Sequence, residues 1–155
     1  MGIRIGVILL VLSAWANSML AQKTAIDYSE YYDYNEALNF FEKEKFASAL
    51  QNFEATILSI SDPHQEVRVN AEYYRGVCAL YLQHKDAEFL LERFTIEHPD
   101  SPWVQKIYIQ IGDYNFKKRK YKKATYWYKK VKEHKLKGQE EIAYKYKRAY
   151  SYFCR

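Results

Sequence analysis

Residues 109–131 read IQIGDYNFKKRKYKKATYWYKKV, in which two apolar patterns of helical spacing flank a basic segment. Gly112 lies in the first pattern and Ala124 in the second, each with bulky apolar residues beside it. A small residue in such a setting indicates that another helix passes close to it. The basic residues 117–120 favour a polar turn between the two patterns. The stretch therefore predicts a helical hairpin with one apolar face on each helix.

The same small residues recur along the chain at intervals of about one hairpin. One set has spacings of 39, 36 and 37 residues and comprises Ala37, Gly76, Gly112 and Ala149. A second set has spacings of 38 and 37 residues and comprises Ala49, Ala87 and Ala124. A hairpin of this size cannot bury its apolar face alone, so successive units must stack on one another. The pattern predicts an all-α protein built as a solenoid of about three and a half repeats.

These residues resemble the tetratricopeptide repeat (TPR) family, whose signature is W-x2-L-G-x2-Y in the first helix and A-x3-F-x2-A-x4-P across the second. The third unit matches at residues 108–112 (YIQIG) and 124–131 (ATYWYKKV). The second unit keeps the glycine and matches at residues 87–99 (AEFLLERFTIEHP). The first unit supplies its small residues and phenylalanines at positions 37–40 and 49–53.

The resemblance covers residues 30–155 and implies a right-handed α-solenoid, with repeats at about 30–63, 67–99 and 102–136 and a partial repeat at 140–155. The chain lacks the signature tryptophan, and Asn115 and Arg75 stand at the tyrosine and leucine positions. Residues 98–116 (HPDSPWVQKIYIQIGDYNF) are also similar to exported bacterial relatives of the outer-membrane β-barrel assembly lipoprotein. Because this scaffold hosts many partners, the resemblance implies a fold and a binding role.

Residues 1–21 have the pattern of a secretory signal peptide. Arg4 precedes an apolar run at residues 5–12, and small residues follow it. The run is shorter than the 18 or so residues that a membrane span needs, which favours cleavage over an uncleaved anchor. We expect cleavage before Gln22, a polar lead-in at residues 22–29, and a mature protein without a transmembrane span. Export places it in the bacterial periplasm, with association with the outer membrane as a further option.

The final helix, at residues 140–155, has two interpretations. It caps the solenoid, or it begins a further repeat of a longer TPR protein. We favour the second slightly, because Tyr150, Tyr152 and Phe153 have no second helix to cover them. An intact mass of the native protein that matches residues 22–155 would contradict it.

The resemblance also implies where partners bind. In the family, the first helix of each repeat lines a concave groove. Carried onto this chain, that groove is apolar and rich in tyrosine, and its lining is Tyr31, Tyr34, Leu38, Phe41, Asn70, Tyr73, Val77, Tyr81, Lys106, Ile109, Asp113 and Phe116. Some members clamp the terminal carboxylate of a peptide, but only Lys106 matches the clamp positions. Binding by side-chain packing is therefore expected.

The charge is very uneven along the chain. Residues 117–155 carry 15 basic and 3 acidic side chains, whereas residues 22–62 carry 3 basic and 8 acidic ones. A surface of one sign steers association with oppositely charged partners. The alternative function is therefore a basic module that docks on anionic lipid, glycan or nucleic acid through residues 117–148, with Lys118, Lys122 and Lys130 at its surface. The ordinary interpretation is a solvated helix face whose lysine stems cover aromatic rings, and export argues against nucleic acid.

The sequence offers no pattern for catalysis, for a metal or for a cofactor. The histidines are scattered and lie near predicted helix ends, at His64, His84, His98 and His134. Neither a paired-cysteine metal motif nor a glycine-rich phosphate loop is present. The two mature cysteines fall in helices too far apart for a disulfide, which makes Cys78 a core residue. We predict a non-enzymatic scaffold that binds one or more proteins or peptides of the cell envelope.

Overall fold

The computed structural model describes residues 31–155, which form seven α-helices and one 3₁₀ turn, without a β-strand in that range. The predicted all-α class is confirmed. The expected signal peptide and the lead-in at residues 22–29 lie outside the described residues. In chain order the elements are α1 (helical residues 31–42), α2 (Phe46–Ser59), α3 (Glu66–Tyr81), α4 (Ala87–Glu97), α5 (Trp103–Lys117), α6 (Tyr121–Tyr128), the 3₁₀ turn (Glu133–Lys135) and α7 (Gly138–Phe153).

Helices that follow one another in the chain pack side by side, and alternate helices also touch. From α2 onward each helix packs on the next, and α5 additionally contacts both α3 and α7. The arrangement is a row of hairpins in which the first helices share one layer. No helix of the described chain combines the length and the apolar character needed to cross a bilayer.

Three hairpin turns close with the same backbone motif. Glu44, Gln83 and Arg119 all have positive φ, between 56° and 58°. In each turn the amide of the following residue donates to a carbonyl five residues back at 2.9 Å, as Lys120 does to Asn115. This is the hydrogen bond of a Schellman helix end, which usually takes glycine. Its recurrence at spacings of 39 and 36 residues repeats the spacing of the small residues.

The small residues of α3 and α5 lie where the second helix of the same hairpin crosses. A Cβ added to Gly76 would lie 2.5 Å from Leu91 Cδ2. A Cβ added to Gly112 would lie 2.5 Å from Tyr128 Cε1. Ordinary carbon contacts are 3.5–4.0 Å or so, and glycine therefore allows the two helices to approach. Ala37, at the matching position of α1, is fully buried.

The core forms three clusters of buried side chains, and each cluster joins one hairpin to the helix that follows it. The largest joins α3, α4 and α5, where the Tyr73 ring stacks on the Trp103 ring at 4.3 Å. Trp103 Nε1 also donates to Asn70 Oδ1 at 2.7 Å, which ties the second hairpin to the third. The first hydrophobic cluster lies between α1, α2 and α3 and contains Cys78, which is fully buried as predicted. Burial raises the pKa of its thiol to about 12. Cys154 is exposed, and both cysteines are free.

The third hairpin ends differently from the signature match. Helix α6 stops at Tyr128, three residues before Val131. The amides of Lys130 and Val131 donate to carbonyls three residues back, so the last turn is tighter than an α-helix. Val131 is nevertheless buried with Leu136 in the cluster under α7. The chain thus keeps the apolar contact while it shortens the helix.

Substitution at Gly112 tests the close approach. Gly112→Ala should lower the free energy of unfolding by about 1–2 kcal/mol, since overpacking against the Tyr128 ring costs about 1–3 kcal/mol and the gain in helix propensity returns only part of it. Urea denaturation followed by circular dichroism measures the loss. Ala149→Leu is the control, because the matching position of α7 is exposed and should change stability by less than about 0.5 kcal/mol. A Gly112→Ala variant whose free energy of unfolding is unchanged would contradict the close approach of α5 and α6.

Candidate functional site

A cavity of about 360 Å³ lies between α3 and α5, and we name it the α3–α5 groove. Val77 and Leu80 give it an aliphatic surface, and Tyr81 and Tyr114 contribute aromatic rings. The remaining lining is polar and comprises Gln83, Gln110, Asp113, Lys117 and Lys118. The groove therefore combines apolar surface with amide and ammonium donors, a combination that suits a peptide better than a small ion.

Three of the twelve predicted groove residues line this cavity: Val77, Tyr81 and Asp113. The prediction missed Gln110, Tyr114 and Lys117, which follow one another at a spacing of three to four residues along α5. These three residues form a stripe on α5 that lies next to the stripe indicated by the family pattern. A count of helical spacing from Gln110 could have found them, since all three are polar or aromatic residues on one helix face.

Tyr73 is a core residue and does not line the groove surface. Its side chain is 1 % exposed because the ring is stacked on Trp103, and burial raises the pKa of its hydroxyl above the ordinary value. Gln110 Nε2 nevertheless donates to the Tyr73 hydroxyl at 3.1 Å. This hydrogen bond fixes the orientation of Gln110 in the groove. Removal of the Tyr73 side chain would therefore disturb the core as well as the groove.

The predicted residues of α1 lie away from this cavity. Tyr34, Leu38 and Phe41 pack against the first hydrophobic cluster. The Phe41 ring lies 5.1 Å from the ring of Tyr74, which keeps it within the packing between α1 and α3. Tyr31 is 52 % exposed in a separate depression on the outer side of α1.

The other predicted residues divide between a second cavity and helix contacts. Lys106 and Ile109 line a cavity of about 510 Å³ near the turn before α5, together with Lys132 and Glu140. Asn70 is engaged with Trp103, as described above. The Phe116 ring contacts the rings of Tyr121 and Tyr150 at 5.8 and 5.6 Å. The structure thus does not bring the twelve residues into one continuous lining.

Asp113 connects the groove to the two helices behind it. Its Oδ1 accepts from the Tyr128 hydroxyl at 2.6 Å, and its Oδ2 accepts from Lys147 Nζ at 2.5 Å. Burial, followed by the hydrogen bond to this carboxylate, raises the pKa of Tyr128. Because Lys147 balances the charge of Asp113, the ammonium groups of Lys117 and Lys118 determine the charge of the groove rim.

The three lysines of the predicted basic surface lie in different environments. Lys118 Nζ lies 2.5 Å from the Tyr114 hydroxyl and 4.2 Å from the centre of its ring. Lys130 Nζ lies 4.4 Å from the Trp127 ring and 4.5 Å from the Tyr126 ring. Both lysines thus cover aromatic rings, whereas Lys122 is exposed beside a basic depression that also contains Arg119, Lys120, Lys123 and Arg155.

One group of potential metal ligands occurs in the described chain. The ligand atoms of Glu72, Glu97 and His98 lie within 4.8 Å of one another. Both oxygens of Glu72 are already engaged, one with Arg68 Nε at 3.2 Å and the other with His98 Nε2 at 3.0 Å. The group therefore joins α3 to the end of α4 as a network of polar contacts.

Comparison of the chain with family models, with curated proteins and with solved structures found no significant match.

The link through Asp113 can be tested by a pair of variants. Asp113→Ala leaves the hydroxyl of Tyr128, which is fully buried, without its acceptor and should cost about 1–3 kcal/mol. Lys147→Met removes only a partly exposed ion pair, which should cost less than about 1 kcal/mol. Urea denaturation of both variants measures the difference. Equal losses would show that the Tyr128 contact does not stabilise the fold.

Proposed function

We propose that this protein is a non-catalytic, right-handed TPR-type scaffold that binds another protein of the bacterial cell envelope. The α3–α5 groove is its binding site. The supporting observation is that the groove is held in shape from behind, by the Tyr73–Gln110 and Tyr128–Asp113 hydrogen bonds. A preformed groove loses little conformational entropy when it binds, which favours affinity. Export to the periplasm rests on the signal-peptide pattern of residues 1–21.

The chemistry of the groove indicates what kind of segment it binds. The rings of Tyr81 and Tyr114 offer an apolar surface for one or two aliphatic or aromatic side chains of a peptide, beside the buried Val77. Gln110 can pair with the peptide backbone, and Lys117 and Lys118 on one rim favour an acidic residue beside the apolar one. Tyrosine rings are common anchors in such contacts because they bring a large area with few rotatable bonds.

Site-specific cross-linking tests this proposal. A photo-reactive phenylalanine analogue replaces Tyr114 in the groove and, as a matched control, the exposed Tyr126 on α6. In native cells position 114 should yield one dominant protein adduct that position 126 does not. In a lysate of those cells, high salt should lower the adduct yield only modestly, because salt screens the contact of the acidic residue with the lysines but little affects the apolar packing. Identical adduct patterns at the two positions would contradict a groove site.

A second function is favoured by the depression that Lys122 lines together with four other basic residues: Arg119, Lys120, Lys123 and Arg155. Lys123 also pairs with Glu88 at 3.7 Å, so the other four residues carry most of the free positive charge. Such a surface fits the headgroups of anionic lipid or an acidic glycan. Sedimentation with anionic vesicles distinguishes it from the groove. This function predicts vesicle binding that is lost at high salt and in Lys122→Gln/Lys123→Gln, with the Tyr114 adduct absent.

A further inference from the structure

The outer face of α7 is apolar and largely exposed, although the Tyr150 ring contacts the Phe116 ring of α5 and the Tyr121 ring of α6. Ile142 is 71 % exposed, Tyr146 63 % and Phe153 90 %. Ala149 and Tyr150 are exposed between them. The stripe advances by three or four residues from Ile142 to Tyr146, from there to the adjacent pair Ala149 and Tyr150, and on to Phe153. This spacing places all five residues along one side of the helix. A stripe of this size on a single helix is a candidate contact surface.

The internal repeats show what covers this stripe elsewhere in the molecule. Ala149 follows Gly112 by 37 residues, and Gly112 follows Gly76 by 36 residues. At Gly76 the neighbouring atoms belong to Leu91 of α4, and at Gly112 they belong to Tyr128 of α6. At both earlier positions the second helix of the hairpin therefore lies directly on the small residue.

The inner face of α7 follows the same register. Tyr144 is 37 residues beyond Ile107 and is buried, as Ile107 is. The Tyr144 hydroxyl donates to the carbonyl of Tyr128 at 2.8 Å, and the two rings meet edge to face at 5.7 Å. Helix α7 thus packs on the preceding hairpin as a first helix does. Its outer stripe has the position and the small central residue that a second helix requires.

The charges around the stripe select the kind of helix that fits. In α3–α4 and α5–α6 the second helix runs antiparallel to the first, which places its first turn at the end of the first helix. At the corresponding end of α7 lie Arg119, Lys122 and Arg155 around one depression, next to Lys123, which pairs with Glu88 at 3.7 Å. Acidic residues in the first turn of an incoming helix would meet these cations, and they are also favoured there by the helix dipole.

We propose that the outer stripe of α7 docks an amphipathic helix of a partner protein, antiparallel to α7, with acidic residues in its first turn and a side chain seated over Ala149. This site is separate from the α3–α5 groove and does not depend on the function proposed for it.

A peptide from this protein itself supplies a probe with the required chemistry. Residues 85–99, KDAEFLLERFTIEHP, contain α4 with acidic residues in and next to its first turn, and α4 packs on α3 through its apolar face. The peptide is capped at both ends, labelled with a fluorophore and titrated with the full-length protein while anisotropy is recorded. We expect saturable binding that weakens as salt is raised.

Two exposed alanines of α7 provide a matched pair of variants. Ala149→Leu places bulk where the incoming helix must approach closely, and should weaken binding by at least about tenfold. Ala143→Leu adds the same bulk at the edge of the stripe, at a position equivalent to Lys106, which stays exposed beside α6. It should leave binding within about twofold of the original protein. A peptide with Asp86 changed to asparagine and Glu88 to glutamine should bind more weakly and with less dependence on salt.

The remaining outcomes overturn the proposal. Failure of the peptide to bind excludes an acidic helix of this kind. Binding that Ala149→Leu leaves unchanged indicates another site, such as exchange with α4 itself. Sedimentation velocity that reveals self-association lost in Ala149→Leu identifies a second copy as the occupant, and vesicle binding lost in Phe153→Asp identifies a membrane. An intact mass of the native protein that extends past residue 155 identifies a following helix of a longer chain as the occupant. These readouts do not involve the groove, so they are independent of the Tyr114 cross-link.

Discussion

The close approach of two helices at a glycine determines much of what lies around it. Because Gly112 has no side chain, the Tyr128 ring occupies the space beside α5 and its hydroxyl reaches Asp113. The same tyrosine provides the carbonyl that accepts from Tyr144, which fixes α7 on the third hairpin. Gly112 thus determines the positions of Asp113, which lines the groove, and of α7, which packs on the third hairpin.

The repetition of that contact gives the molecule its two surfaces. On one side, the packing of the second hairpin on the third sets the distance between α3 and α5, and the α3–α5 groove lies between these helices. At the far end α7 continues the row, and its outer stripe is exposed where α3 and α5 are covered. The groove and the stripe therefore arise from one register of packing, although they differ in charge and in the kind of segment that each fits.

The sequence predicted the helices well because small residues and apolar stripes report directly on packing. It could not predict which side chains share one surface, for reasons that particular residues illustrate. Tyr73 has the composition of a binding residue, but its ring stacks on Trp103, and a partner 30 residues away in the chain cannot be identified from spacing. The turn at residues 117–120 was predicted, but the positive φ of Glu44, Gln83 and Arg119 was not, because residues other than glycine rarely adopt it. Lys130 counted as a surface charge, although three aromatic rings lie beneath it.

The central claim is that α7 continues the register of the earlier hairpins, with one face packed and the other free. Hydroxyl-radical footprinting of the intact protein measures this most directly, since it compares two tyrosines of one helix under one condition. Tyr146 is 63 % exposed and Tyr144 only 1 %. The account predicts rapid oxidation of Tyr146 and protection of Tyr144 to the level of Tyr128. Equal oxidation of Tyr144 and Tyr146, or protection of Tyr146 alone, would contradict it.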